Sequence, residues 1–589
     1  MKRLGWLAGC LTCGIAVASC GGDDGASALE VSPDGEMEEA APGGKADTVY
    51  GSCEVREVVA WVNDLDLTYE AMRAAGVHTR AARNVIAHRD GADGAAGTAD
   101  DDFFDGVDEL DGVPYVGPTA FQQMASAVKH RCERAPEVEV IFSPQLYGNS
   151  HLARVAKLID AAERSIDIAM YSFSDSGIRD ALQRAVQRGV SVRFLFDTAS
   201  EDRKDPAGTA SAKLEDIGID VRYVNKIMHH KFALIDGPRE DLDHAYTATL
   251  VTGSGNWSHS AGTKYDENTA VVRFHGELAL RFQKEFNGLW DNSRDFVWTD
   301  GITFQTSKPI TDWVIPDDPT LDAFFTSANF DVKTTSYGPT FSVVSGRNEV
   351  ADRLVALIGE ASESIHLASG HLRSRSVAEA LLAKAEANPQ MDIRVYLDGQ
   401  EYISAWYDAQ QQTDLETCLA AAGDSLSKQQ ACLDKGFYYS YRLHAEGVPL
   451  RFKYSCYRWD YHYAVQMHHK YALFDGRRVA SGSYNLSDNA EHNTMENVVL
   501  YDGGAFAGLA GQFDQNFETM WVTGIDQARY EALVDLIQNT DEDIPLVFEP
   551  MSLTWQQVTD LKDLIRTHCP AVDSDAYRQE PDKHTTCPR

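Results

Sequence analysis

Along most of the chain, short apolar runs of strand length alternate with segments whose apolar residues recur every three or four positions, and the pattern occurs twice. The first copy holds the run "SIDIAMYSF", the amphipathic stretch "SGIRDALQRAVQRG" and the run "VSVRFLFD", which ends at Asp197. The second holds "SIHLASGHL", "SVAEALLAKAEAN" and "MDIRVYLD", which ends at Asp398. A short apolar run bounded by turn formers predicts a strand, and the longer periodic segment predicts a helix. Strand, helix, strand implies a mostly parallel sheet covered by helices, so each copy reads as an α/β lobe. Each copy closes on a helix with aromatics four apart, Phe282, Phe286 and Trp290, then Phe513, Phe517 and Trp521. That spacing fits core packing.

Upstream, "VREVVAWVNDL" and "AFQQMASAVKHRC" carry helical spacing and predict a small, mostly helical domain. Between them "LDGVPYVGPTAF" resembles a helix-hairpin-helix, in which a Gly-x-x-x-x-Gly turn, here Gly112 to Gly117, lets two short helices meet closely. The resemblance implies hairpin amides able to hold a nucleic-acid phosphate; the acidic surroundings favour a packing or docking module instead. The cluster Asp90, Asp93, Asp100, Asp101 and Asp102 reads as a solvated loop, with calcium binding as the alternative. The expected organisation is a leader (1–20), a polar linker (21–50), the helical domain (51–135), lobe one (136–300), an inter-lobe linker (301–340), lobe two (341–545) and a C-terminal cap (546–589).

The leader begins with Lys2 and Arg3 and continues as an apolar run from Leu4 to Ala18, short for a membrane span. It ends in Val17-Ala18-Ser19-Cys20, which resembles a bacterial lipobox and implies cleavage before Cys20 and lipid attachment to its sulfur. The expectation is an exported protein, anchored by lipid in the periplasm or on the outer surface, or secreted if the leader is cut as an ordinary signal. Cysteine usage agrees with an oxidising compartment. Sequence proximity pairs Cys53 with Cys132, Cys418 with Cys432 and Cys569 with Cys587, leaving Cys456 odd. Apolar residues at 43% suit globular cores, and a net charge of -36 argues against a general nucleic-acid binder, since positive potential must then be concentrated in a local cleft.

Each lobe reaches a near-identical segment, "MHHKFALIDG" from Met228 and "MHHKYALFDG" from Met467, followed by "GSGNWS" and "GSYNLS". One offset carries His229, Lys231 and Asp236 onto His468, Lys470 and Asp475. A smaller offset carries Asn256 and Glu267 onto Asn485 and Glu496, so lobe one holds about ten extra residues in a polar hairpin loop around "PREDLDHAY". Two copies of His-x-Lys-x-x-x-x-Asp with a Gly-Ser-x-Asn turn resemble the phospholipase D superfamily over roughly 400 residues. The resemblance implies two similar phospholipase D-like βαβ sandwich lobes packed face to face, with one active site assembled from both motifs of a single chain, a monomer.

The chemistry accounts for the spacing. Strand residues two apart share a face, so His229 projects with Lys231 and His468 with Lys470, while His230 and His469 face away. A phosphodiester repels nucleophiles and leaves as a poor alkoxide. Lys231, Lys470, Asn256 and Asn485 supply donors to the phosphoryl oxygens, one histidine attacks phosphorus, and the other is the general acid. By resemblance His229 is the nucleophile of a phosphohistidine mechanism and His468 the acid, near-symmetry leaving the order open. Glu267 and Glu496 orient the two histidines, and Asp236 and Asp475 fix the turn after the strand. No metal-ligand cluster accompanies the motifs, and the expectation is an enzyme with no cofactor and no metal. The expected substrate is a phospholipid at a membrane surface, cut to phosphatidic acid and a free headgroup. The alternatives are an exported endonuclease of the same superfamily and a non-catalytic surface lipoprotein. An aromatic-rich run before His468 fits either a cleft lining or strand core.

Overall fold

A computed structural model of the chain describes residues 50, 52–65, 67–98, 100–128, 136–239, 242–297, 321–455, 465–503, 506–539, 549–568 and 574–579. Cys20 with the leader and polar linker, and Cys132, Cys456, Cys569 and Cys587, lie outside the described residues, so two of the three expected cysteine pairings do as well. The third is present: Cys418 and Cys432 form a disulfide. The chain divides into two compact units, one up to Arg134 and one from Ala135.

The first unit consists of helices α1 (Ser52–Val62), α2 (Tyr69–Ala74), α3 (Thr79–Arg89), α4 (Val107–Asp111) and α5 (Pro118–Val128). They enclose Val58, Val62, Met72, Val85, Leu110, Phe121 and Met124. Thr68 caps α2 by accepting the Ala71 amide, the usual remedy for an unpaired N-terminal N–H. In the acidic loop, Asp100 accepts from the Ala92 and Asp93 amides and Asp101 from the Gly97 amide, so these carboxylates hold turns. The α4–α5 hairpin corrects one expectation. Its left-handed residue is Tyr115, at φ 72, and Gly112 lies in the right-handed helical region. A Cβ at Gly117 would meet nothing within 4 Å, so close helix approach does not demand glycine there.

In the second unit, lobe one supplies β1 (Glu137–Ser143), β2 (Ser165–Met170), β3 (Ser191–Phe196), β4 (Asp220–Tyr223), the short β5 (Ile227–Met228), β6 (Lys231–Ile235), β7 (Thr249–Gly253), β8 (Glu267–Arg273) and β9 (Arg294–Asp295). Lobe two supplies β10 (Leu321–Phe325), a hairpin of β11 (Phe330–Thr335) and β12 (Gly338–Val343), then β13 (Ser364–Ser369), β14 (Asp392–Asp398), β15 (Leu450–Tyr454), β16 (Lys470–Phe474), β17 (Arg478–Gly482), the short β18 (Thr494–Met495), β19 (Asn497–Asp502) and β20 (Met551–Thr554). The two large sheets have matching orders, β1-β8-β7-β6-β2-β3-β4-β9 and β10-β19-β17-β16-β13-β14-β15-β20.

The sheets are mixed, which corrects the mostly parallel expectation. Only β2-β3-β4 and β13-β14-β15 run parallel, joined by covering helices; all other neighbours are antiparallel. Hairpin-length connections explain this. Between β16 and β17 lie only Asp475 to Arg477, too few residues for a parallel crossover. The lobe-one counterpart runs from Asp236 to Ala248, the lengthened loop expected there. The span 301–340 is not wholly linker: β10 forms the edge of the second sheet, paired with β19. Likewise β20, within the expected cap, closes the other edge against β15.

One continuous apolar cluster joins the lobes. It contains Phe232, Phe282, Phe286 and Trp290 from one side and Tyr471, Leu473, Phe513 and Phe517 from the other, so the aromatic stripes are core. Arg193 lies over Phe286 and Trp290, and Arg394 over Phe517 and Trp521, a repeated cation–π contact. Of the aromatic-rich run, Phe437, Tyr439, Phe452 and Tyr454 are buried as core; 456–464 lies outside the described residues.

Candidate active site

Each motif histidine is placed by a backbone contact to the opposite lobe. β5 pairs in parallel with β18, Met228 beside Met495, so the next residues, His229 and Glu496, stand side by side. The His229 amide donates to the Met495 carbonyl at 3.1 Å. The mirror arrangement bridges Met467 to Asp266, and the His468 amide donates to the Asp266 carbonyl at 3.0 Å. The result is a crossed pair of dyads. His229 Nδ1 meets Glu496 Oε1 at 2.7 Å, and His468 Nδ1 meets Glu267 Oε1 at 2.8 Å. A carboxylate on Nδ1 fixes the ring and leaves Nε2 as the reactive nitrogen.

The lysines follow their histidines. Lys231 Nζ donates to the His229 carbonyl at 2.7 Å and lies 3.2 Å from His229 Nδ1; Lys470 Nζ donates to the His468 carbonyl at 2.9 Å. Both glutamates are fully buried, and both lysines nearly so. Burial dominates the titration of the whole cluster. It holds Lys231 down at about 7 and Lys470 at about 8, and lifts Glu267 and Glu496 to about 7. His229 and His468 fall well below the ordinary histidine value through burial and then the neighbouring lysines. An anion placed beside the two buried lysines would favour their charged forms and offset part of that burial penalty.

The Gly-Ser-x-Asn turn has a steric reason for its glycine. A Cβ at Gly253 would collide with the Asn268 carbonyl oxygen, and one at Gly482 with that of Asn497. The turn serines, Ser254 and Ser483, accept the Asn268 and Asn497 amides at 2.9 and 3.0 Å, anchoring the residue that follows each glutamate. Asn256 and Asn485 are partly buried, each with an Oδ1 that no described residue satisfies. Asp236 and Asp475 lie elsewhere. Their carboxylates accept the amides of residues 163–165 and 362–364, and both take left-handed φ values of 52 and 53. They hold the turns that enter β2 and β13.

His230 and His469 point away from the site into the seam between lobes. His230 bridges Glu285 at 3.1 Å and Asn497 at 2.9 Å, while His469 contacts Asn268 at 3.2 Å. Asn268 in turn donates to Ser481, and Thr252 to Asn497, so the seam is polar and buried, with His469 Nε2 making no hydrogen bond to a described residue. Sequence reasoning missed several positioning residues. Asp197 and Asp398 accept the Met228 and Met467 amides at 2.8 and 2.9 Å, steering each motif into the cleft. Their signal was present, since both close equivalent strands. Tyr171 had none: its ring sits 4.6 Å from His229 and under Lys231, with Gly370 in the equivalent place of lobe two.

Comparison with known proteins shows the family to which the two lobes belong. A family model described as "Cardiolipin synthase, PLD-like domain" matches residues 155–290 and 354–521, together just over half of the chain. Among curated proteins, the mitochondrial cardiolipin hydrolase of Drosophila melanogaster is 29% identical over 167 residues, 26% of this chain and 63% of that protein. That of Homo sapiens is 31% identical over 166 residues, 27% of this chain and 60% of that protein. The chain thus spans about 60% of the length of these relatives. Among solved structures, a phospholipase D family member, Nuc from Salmonella typhimurium, is 30% identical and covers 27% of this chain and 97% of its own, with a TM-score of 0.22. The phosphatidylserine synthase of Haemophilus influenzae is 13% identical and covers 66% of this chain and 89% of its own, with a TM-score of 0.41.

Proposed function

Because the chain belongs to the phospholipase D superfamily, we propose that it is a phosphodiesterase that hydrolyses phospholipid headgroup esters to phosphatidic acid through a phosphohistidine. The observation that carries this reading is the pair of crossed His–Glu dyads with both lysines between them. The printed names of the curated relatives, cardiolipin hydrolases, support a phospholipid substrate.

His229 Nε2 attacks phosphorus while Lys231, Lys470 and the two turn asparagines hold the phosphoryl oxygens. The headgroup oxygen leaves with a proton from His468 Nε2, which requires the substrate's negative charge and Glu267 to favour the protonated ring in the complex. That assignment is supported by exposure: the His468 side chain is 17% exposed against 8% for His229, and the histidine that activates water in the second half must be within water's reach. In the second half, His468 removes a proton from water as it attacks the phosphohistidine, releasing phosphatidic acid and free His229. Each glutamate stabilises the imidazolium formed on the opposite lobe's histidine.

No helix among the described residues is long and apolar enough to cross a membrane. The lipobox-like Val17 to Cys20 supports export with lipid on Cys20, which would hold the enzyme at its substrate. Purified mature protein is to be assayed on phospholipid vesicles and on single- and double-stranded DNA, with His229→Ala as the blank. Headgroup release absent from the blank supports the phospholipase reading, and DNA cleavage alone replaces it with a nuclease.

A further inference from the structure

The two lobes differ where the strand beside each motif ends. Tyr171 donates its amide to the His230 carbonyl and Gly370 does the same to His469; Ser174 and Arg373 likewise donate to Trp257 and Leu486. This register sets Tyr171 against Gly370 and Ser172 against His371. A Cβ at Gly370 would lie 2.8 Å from the Met467 carbonyl oxygen, so no side chain can stand where the Tyr171 ring does. Lobe two instead offers the next residue, His371.

His371 Nδ1 lies 3.1 Å from Glu401 Oε1, a His–Glu dyad that lobe one, with Ser172 at the equivalent position, does not repeat. Glu401 is buried, and Arg373, 2.6 Å away, holds its carboxyl at about 2, so it is ionised and takes the Nδ1 proton as a hydrogen bond. The Tyr438 ring lies 4.4 Å from the Arg373 guanidinium, and His371 follows directly on Gly370, which packs against the Met467 carbonyl beside His468. The His371 side chain is 24% exposed, its Nε2 makes no hydrogen bond to a described residue, and it lies close enough that its protonated ring would act electrostatically on both His229 and His468. Burial and the Arg373 charge keep the ring neutral at neutral pH. A neutral ring with Nδ1–H engaged presents Nε2 as an acceptor.

We infer that His371, oriented by Glu401, is a specificity residue whose Nε2 accepts a hydrogen bond from a hydroxyl on the headgroup, favouring phosphodiesters of neutral polyols such as glycerol. The surroundings discriminate. Arg373 and Lys470 repel a quaternary ammonium, and a lone-pair acceptor repels an anionic headgroup, whereas an O–H fits both conditions. The inference rests on the phospholipid reading above and deepens it.

The test measures kcat/KM of wild type and His371→Ala on dihexanoyl phosphatidylglycerol, dihexanoyl phosphatidylcholine and bis(p-nitrophenyl) phosphate, a diester without a hydroxyl. Wild type is expected to favour the glycerol lipid over the choline lipid, and His371→Ala to cut that ratio by about tenfold, one hydrogen bond's worth, leaving the part set by the Arg373 and Lys470 charges. An unchanged ratio, or equal losses on all three diesters, overturns the inference. If His371→Ala is inert, His371→Gln, which keeps a side-chain acceptor, must restore the glycerol preference, and failure to do so also overturns it. Should wild type cleave only bis(p-nitrophenyl) phosphate, the phospholipid reading fails by itself. The subsite is then scored by free glycerol, which must inhibit wild type more strongly than the variant; equal inhibition refutes it.

Discussion

The crossed dyads make the sharpest prediction, because a glutamate acting on the opposite lobe's histidine must share that histidine's kinetic phenotype. Glu496→Gln is isosteric and removes only the charge from a fully buried 2.7 Å contact with His229. A charge-assisted hydrogen bond of this kind contributes about 2–3 kcal/mol, which corresponds to a loss of roughly 30- to 150-fold in the step that puts positive charge on the ring. Bis(p-nitrophenyl) phosphate separates the two histidines, since p-nitrophenolate leaves without a proton. Rapid mixing should show a burst of p-nitrophenolate that is abolished in His229→Ala and slowed by that factor in Glu496→Gln. In His468→Ala and Glu267→Gln the burst should persist within about threefold, with turnover after it slowed because water activation is impaired. If the histidine roles are reversed, the two classes exchange but their membership does not. Burst loss shared by His229→Ala and Glu267→Gln, with Glu496→Gln spared, would refute the crossed pairing.

Three further predictions concern charge, turns and metal. Burial depresses Lys231 and Lys470 to about 7 and about 8, and an anion reverses that penalty, so binding of sulfate at about pH 8 should take up protons and weaken as pH rises through that range. Calorimetry in buffers of different ionisation enthalpy reads the sign, and proton release would contradict it. Asp475→Ala removes an acceptor from three backbone amides and should cost about 2–3 kcal/mol of stability, while kcat well below the melting temperature changes less than about threefold. Those amides hold the Asp475 carboxyl below its ordinary value, so its contribution is complete at neutral pH and fades as pH falls through the folded-state pKa. A melting series in acid shows the wild-type and variant curves converging if this holds. Activity should survive exhaustive EDTA treatment, and loss restored by one specific cation would count against a histidine nucleophile that works alone.

What the sequence by itself determined is chiefly local and repeated. The duplicated His-x-Lys segments, the turn asparagines and the downstream glutamates were all legible, because a strand's two-residue period and a hairpin's turn chemistry are written in consecutive positions. Asp236 and Asp475 were legible as turn residues for the same reason. Only the tertiary structure decided which glutamate serves which histidine. Met228 meets Met495, and Met467 meets Asp266, across more than two hundred residues of chain, and no local pattern encodes that register. The same holds for the sheets. The apolar runs announced strands, but their direction depended on connection length, and the edge strands β10 and β20 were hidden in segments too short and polar-flanked to read. Symmetry misled in one respect, since near-identical motifs suggested near-identical lobes. A bulky Tyr171 against a Gly370 with no room for a side chain makes the two halves of the cleft chemically different, and that difference arises from how closely β13 approaches Met467.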